Sequence, residues 1–292
     1  MATVRQLKRR IATVANTAKI TNALQLVAAS KMRRAQDRAL EARPYAEKLR
    51  TVLAGLSTGT ESADGPAHPL LAMRPTRTVA VLHMTPDRGL CGGLNANLNR
   101  SAASFASERD EDVAVVAVGK KGRDFFVRAR ANVVAEFTEL GDYPAQNDTR
   151  PISELIVEDY LNGTVDAVYL SFPHFVNTAV QEPVIRKLLP IEPPQMDSHE
   201  EAEEFRQSYL LEPSPDELLG RLLPRFVEMQ IYEAVLESAA SEQSARMVAM
   251  KNATDNAAEI QRELTLTYNK LRQEQITNEL LDIVGGASAL ED

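Results

Sequence analysis

A single cysteine, Cys91, stands in 292 residues, too few for an intramolecular disulfide or a cysteine-rich metal site. The four histidines, His68, His83, His174 and His199, lie far apart with no ligand spacing. This usage fits a reducing compartment. No uninterrupted apolar run approaches the ~18 residues of a membrane-spanning candidate. The opening MATVRQLKRRI enters a helical pattern without a signal-peptide core, so a chain soluble by itself and intracellular is expected. Standard nucleotide loops are missing as well. No G-x-x-x-x-G-K-[ST] occurs, and Gly89, Gly92 and Gly93 in TPDRGLCGGLN do not make G-x-G-x-x-G. Lys120 and Lys121 in VGKKGRDF are equally explained by a strand-to-helix turn. A nucleophile pair is not visible in sequence, although Cys91 could meet His83 or His174 in space. The reading is therefore no catalytic residue, no cofactor and no metal.

What the chain does have is an uneven charge. The net charge of -8 hides a first 50 residues with twelve Lys or Arg against Asp37, Glu41 and Glu47, a net +9, so the remainder carries -17. A basic segment of this kind can meet nucleic acid, anionic lipid or an acidic protein surface, or be the solvated face of a long helix.

Steps of three and four from Val4 through Leu7, Ile11, Val14 and Ala18 to Leu49, Leu53 and Leu56 stay apolar except at Thr21 and Gln25. This predicts a coiled-coil seam. At 1.5 Å per residue the helix would run about 80 Å, with an interruption and bend at Pro44. From Leu219 the same stepping reaches Leu271, broken by Glu233, Gln243, Thr254 and Gln261, and predicts a second long helix starting after Pro224. ITNELLDIVGGASAL (276–290) reads as helix to Val284 and a stop at Gly285 and Gly286, with only Glu279 and Asp282 charged. So apolar an end needs an apolar surrounding.

Between the helices RTVAVLHM (77–84), DVAVVAVG (112–119) and VDAVYLSF (165–172) read as buried strands, with helices over 95–108, 122–131 and 152–162. The expected fold class is α/β: two long helices plus a small, mainly parallel, Rossmann-like domain. The divisions are 1–56 for the first helix, 57–76 for a linker, 77–191 for the α/β domain, 192–217 for an acidic connector and 218–292 for the second helix.

ITNELLDIVGGASA (276–289) closely resembles the C-terminal signature of the gamma subunit of F-type ATP synthases, and NTAKITNALQLVAASKMRRAQ (16–36) resembles that family's N-terminal helix. DRGLCGGLN (87–95) and SEQSARMVAMKNATDNA (241–257) match two further blocks in the same order. Thr85 and Pro86 before Asp87, and Pro224 within the second helix, depart from the pattern, and the regulatory dithiol of plant chloroplast members is missing.

The resemblance implies an antiparallel coiled coil standing inside a hexameric ring of alpha and beta subunits, with the α/β domain meeting the epsilon subunit and the membrane-embedded c ring. It implies the central rotor shaft of a proton-translocating ATP synthase, one copy per complex. The shaft would be non-catalytic, would contact no nucleic acid, and would be held at the cytoplasmic face of the bacterial plasma membrane only through the complex. Carried over by position, the beta-subunit contacts are Lys19, Leu24, Lys31, Arg33, Arg34, Arg246, Gln273, Thr277 and Glu279, with the basic face from Lys31 to Arg38 opposing acidic loops. Pairing of Arg246 and Glu279 with neighbours in the coil is the other reading of those two. A coiled-coil adaptor binding an acidic partner, and a small α/β enzyme with dimerising arms, are the alternative functions.

Overall fold

The computed structural model describes residues 3–57, 68–192, 212 and 214–291, apart from the side chains of 57, 215, 216 and 285–291. The elements are helix α1 (Val4–Ser57), a 3-10 turn (Pro69–Leu71), β1 (Thr78–Met84), α2 (Leu94–Ser107), β2 (Asp112–Val118), α3 (Lys120–Arg128), β3 (Asn132–Phe137), α4 (Gln146–Leu161), β4 (Ala167–Phe175), β5 (Gln181–Leu189) and α5 (Pro215–Glu291). Most of the 57–76 linker and of the 192–217 connector lies outside the described residues.

The chain divides into two compact units, Met1–Ala28 with Met247–Asp292 and Ala29–Arg246. Each unit joins opposite ends of α1 and α5, so the two helices run antiparallel. In the first unit the seam buries Leu7, Thr21, Ala28, Met250 and Ala257. The Thr21 and Thr254 hydroxyls meet across it at 2.6 Å. One hydroxyl donates across the pair while the other, accepting that bond, donates to its own helix, Thr21 to the Ala18 carbonyl or Thr254 to that of Met250, so neither is left unsatisfied.

In the second unit five strands form one sheet in the order β3-β2-β1-β4-β5. The first four are parallel, with Val79 opposite Val113 and Ala167, and β5 closes one edge antiparallel to β4. Because side chains alternate across a strand, Ala80, Leu82 and Met84 face one side while Val79, Val81 and His83 face the other. The first side carries the main core, where Val116, Leu170 and Phe172 meet Leu49, Leu53 and Leu56 of α1, Ile152, Ile156 and Tyr160 of α4, and Leu219, Leu223 and Phe226 of α5. The second side is covered by α2 and α3 through Ala102, Phe105 and Phe126. Strands buried on both faces explain the continuous apolar runs read in the sequence.

Helix α4 starts at Gln146, six residues before the expected 152, α3 spans Lys120–Arg128 in place of 122–131, and the long helices differ from expectation at three points. Helix α5 starts at Pro215, not after Pro224. Ser214 is its cap: the Ser214 hydroxyl accepts from the Glu217 amide at 3.3 Å, and Pro215 takes the first helical position, where no N–H is needed. An internal proline costs about 3 kcal/mol. Burial of Leu219, Leu223, Phe226 and Val227 around Pro224, at about 1.5–3 kcal/mol each, offsets it. Helix α1 likewise runs unbroken through Pro44, held by Ala46, Leu49 and Leu53. At the other end α5 continues past Gly285 and Gly286 to Glu291. Glycine permits a stop without enforcing one, at about 1 kcal/mol per residue relative to alanine.

Candidate functional site

In an open, mainly parallel sheet the place for a ligand is the crevice at the carboxyl ends of the strands. Here those groups are already engaged with one another. After β1, the Asp87 carboxylate accepts from the Lys120 amide at 2.9 Å, at the start of α3, and from the Glu139 amide at 3.0 Å. The Thr85 hydroxyl accepts from the Gly122 amide at 2.7 Å. Gly119, at φ +96°, lies so close that a Cβ there would sit 1.8 Å from the Thr85 carbonyl oxygen. A bound phosphate would need amides at a helix start, and those of Lys120, Lys121 and Gly122 are held by Asp87, the Pro86 carbonyl and Thr85. The remaining cavity is about 60 Å³, against the roughly 300–1,000 Å³ of ligand sites. Lys120 is turned to Glu139 at 2.6 Å.

Behind this crevice His83 is wholly buried, with Nδ1 3.0 Å from the Ser171 hydroxyl and Nε2 2.9 Å from Asn99 Oδ1. The Asn99 oxygen can only accept, so Nε2 carries the proton and Nδ1 accepts from Ser171. Burial pushes the imidazole down to about 4, which the Asn99 bond only partly opposes. It is a neutral packing group, edge-on to Phe126. Cys91 pairs with neither histidine: its sulfur accepts from Asn95 Nδ2 at 3.3 Å. Burial raises the thiol, and nearby Arg246 offsets only part of this. That is the setting of an inert cysteine.

The surface residues are more informative. Lys31 pairs with Asp142 at 2.7 Å, Arg34 donates to the Tyr143 hydroxyl at 3.1 Å, and the Arg34 and Arg38 guanidiniums lie 5.8 and 5.2 Å from the Tyr143 ring centre. The fold thus gathers Lys31, Arg34 and Arg38 on the loop after β3; Arg33 is exposed, as are Arg34 and Arg38. Arg246 bridges Glu242 at 2.6 Å and the Gly89 carbonyl at 3.2 Å. Burial raises the Glu242 carboxyl and Arg246 pulls it back.

In the other unit Lys19 is exposed and Leu24 half-buried. Gln273, Thr277 and Glu279 are all exposed; the Thr277 hydroxyl donates to the Gln273 carbonyl, and Glu279 accepts from Gln275. Around them Ile276, Leu280, Leu281, Ile283 and Val284 stand 44 to 67 % exposed. Sequence reasoning missed Asp142, Tyr143, Glu242 and Gly89 as partners. Only Glu242 carried a signal, its spacing of four from Arg246.

Residues 3–290 match a family model described as ATP synthase. The ATP synthase gamma chain of Dehalococcoides mccartyi is 53% identical over 290 residues, covering 99% of this chain and 100% of its own length. That of Roseiflexus castenholzii is 52% identical over 299 residues and covers both chains fully, at 100% each. Among solved structures, a chain of the Euglena gracilis mitochondrial ATP synthase (OSCP/F1/c-ring, rotational state 3) superposes with a TM-score of 0.67 at 17% identity, over 98% of this chain and 94% of that one. A chain of the Tetrahymena thermophila mitochondrial ATP synthase central stalk and c-ring gives 0.60 at 23%, over 80% and 99%. Both share the fold.

Proposed function

The chain belongs to the ATP synthase gamma-chain family, and from that premise we propose that it is the central rotor shaft of a bacterial F-type ATP synthase. It is a non-catalytic subunit; ATP is made on the beta subunits. Ion flow turns the c ring, the ring turns this chain, and the chain drives each beta subunit through its open and closed states. A shaft can do so only by binding those states unequally. Moving one beta subunit from 1:99 to 99:1 takes a difference of about 5.5 kcal/mol in that binding.

The observation that carries the reading is the apolar surface at the far end of α5. Covering Ile276, Leu280, Leu281, Ile283 and Val284 in the sleeve of the ring, each from near half exposure or more, is worth about 1 kcal/mol or more per side chain. It also explains why residues 276–290 carry only Glu279 and Asp282 as charges. Lys19, Leu24, Lys31, Arg33, Arg34, Arg246, Gln273, Thr277 and Glu279 are the proposed contacts to beta. Lys31 and Arg34 reach those loops by exchanging Asp142 and Tyr143 for an acidic partner. The α/β domain of 77–191 serves the epsilon subunit and the c ring, with 57–76 and 192–217 as its links to the helices of 1–56 and 218–292. Among the described residues no helix is long and apolar enough to cross a membrane. Attachment to the cytoplasmic face of the plasma membrane, with protons as the coupling ion, would come through the complex.

The test is co-expression of a tagged chain with the alpha and beta subunits of the same organism. Recovery of all three with ATP hydrolysis on the tag is the expected result. A chain that elutes alone contradicts the role.

A further inference from the structure

Helices α2 and α3 enclose an open groove of about 810 Å³ on the sheet side that carries Val79 and His83. Three cations line it, Arg100 from α2 and Lys121 and Arg128 from α3, and no carboxylate does. Two acids on or at the end of the same helices are engaged elsewhere. Asp124 is bound by Arg123 at 2.8 Å, and Glu108, at the far end, accepts from the Ser104 hydroxyl at 2.7 Å. Arg128 Nε donates to the Asp124 carbonyl, and no carboxylate bridges its guanidinium, although the Asp124 carboxylate, held by Arg123, also feels the charges of Lys121 and Arg128. Three cations and no carboxylate thus line this groove on a chain of net charge -8.

The floor of the groove is small. Ala96, Ala103, Ser104 and Ser107 follow one side of α2 for about 16 Å at 1.5 Å per residue, which allows another backbone to come close. Phe125 lies half-buried between Lys121 and Arg128, which are two helical turns, about 10 Å, apart. That separation is too wide for one small anion to reach both cations. It matches acidic side chains two turns apart on a helix with an apolar residue between them. Asn95 Oδ1, also at the groove, is buried and has no hydrogen-bond partner among the described residues.

We propose that this groove docks an acidic amphipathic helix of a partner protein, its carboxylates on Arg100, Lys121 and Arg128 and its apolar side chain on Phe125. The mode is helix in groove, with charge setting orientation. It uses no part of the rotary reading.

The probe is a fluorescein-labelled 18-residue peptide with glutamates on one side of a leucine stripe, and the control is a scrambled peptide of the same composition. Each is titrated into the full-length chain by anisotropy at low and high salt. Arg100, Lys121 and Arg128 are exposed, so their variants keep the fold, checked by circular dichroism. The expected result is binding of the patterned peptide alone, weakened at least tenfold by Lys121→Glu and by Arg100→Glu. A peptide with lysines for glutamates should then prefer the Lys121→Glu, Arg128→Glu double variant to the native chain. Phe125→Ser should weaken binding without changing its salt dependence. Absence of binding, or equal binding of the scrambled peptide, overturns the proposal.

Discussion

Acidification should weaken the α/β unit through one side chain. His83 is buried against Ser171, Asn99 and Phe126, and its folded-state value of about 4 lies below the ordinary 6.5. The unfolded chain therefore takes up the proton first. Stability that is complete above pH 6.5 is lost as the pH falls toward 4, where the folded imidazole also protonates. The 2.5-unit gap is worth about 3 kcal/mol at 1.36 kcal/mol per unit. The half-buried carboxyls of Glu233 and Glu242 are raised by desolvation and act in the opposite sense, gaining stability as they protonate. The native chain must therefore be compared with His83→Gln, which keeps a donor and an acceptor but does not titrate. Urea unfolding from pH 7.5 to pH 4 should show the native chain losing about 3 kcal/mol more than the variant. A pH-independent difference between the two would refute this assignment.

Gly119→Ala should destabilise the same unit by about 3 kcal/mol or more, since the new Cβ meets the Thr85 carbonyl and φ +96° is strained for any side chain; an unchanged melting temperature would disprove the close approach. In the helix pair, Thr21→Val alone should cost about 1 kcal/mol, and adding Thr254→Val should cost little more, because the second change removes the abandoned partner. A double-mutant cycle with strictly additive costs would show that the two hydroxyls do not interact.

Much of the fold was readable because its signals are local. Strands at 78–84, 112–118 and 167–175 are continuous apolar runs, and the two seams repeat at steps of three and four. β3 was missed because, at the sheet edge, its residues alternate between exposed and half-buried and the run is short. β5 was missed because Pro183 argues against a strand, and the proline is tolerated only because β5 is the other edge. The start of α5 was written in Ser214, Pro215 and Glu217, a cap that Pro224 overshadowed. The candidate contacts were less legible. Lys31 and Arg34 owe their neighbours Asp142 and Tyr143 to a separation of over a hundred residues, which no local spacing encodes. The apolar end of α5 was plain in the sequence, yet its exposure is a property of the lone chain, and the cover proposed for it would lie on other subunits.

Rotation itself is tested most directly at Glu279. In a Cys91→Ser background, Glu279→Cys is paired with a cysteine on the beta-subunit loop that faces it, at positions whose Cα atoms approach within about 7 Å. The assembled complex is then oxidised. If this chain turns within the ring, ATP hydrolysis should fall in proportion to the cross-link and recover on reduction, because three sites can cycle only while the shaft passes each of them. Full activity with Glu279 quantitatively cross-linked would show that the helix at this level does not need to turn, and would contradict the rotor role.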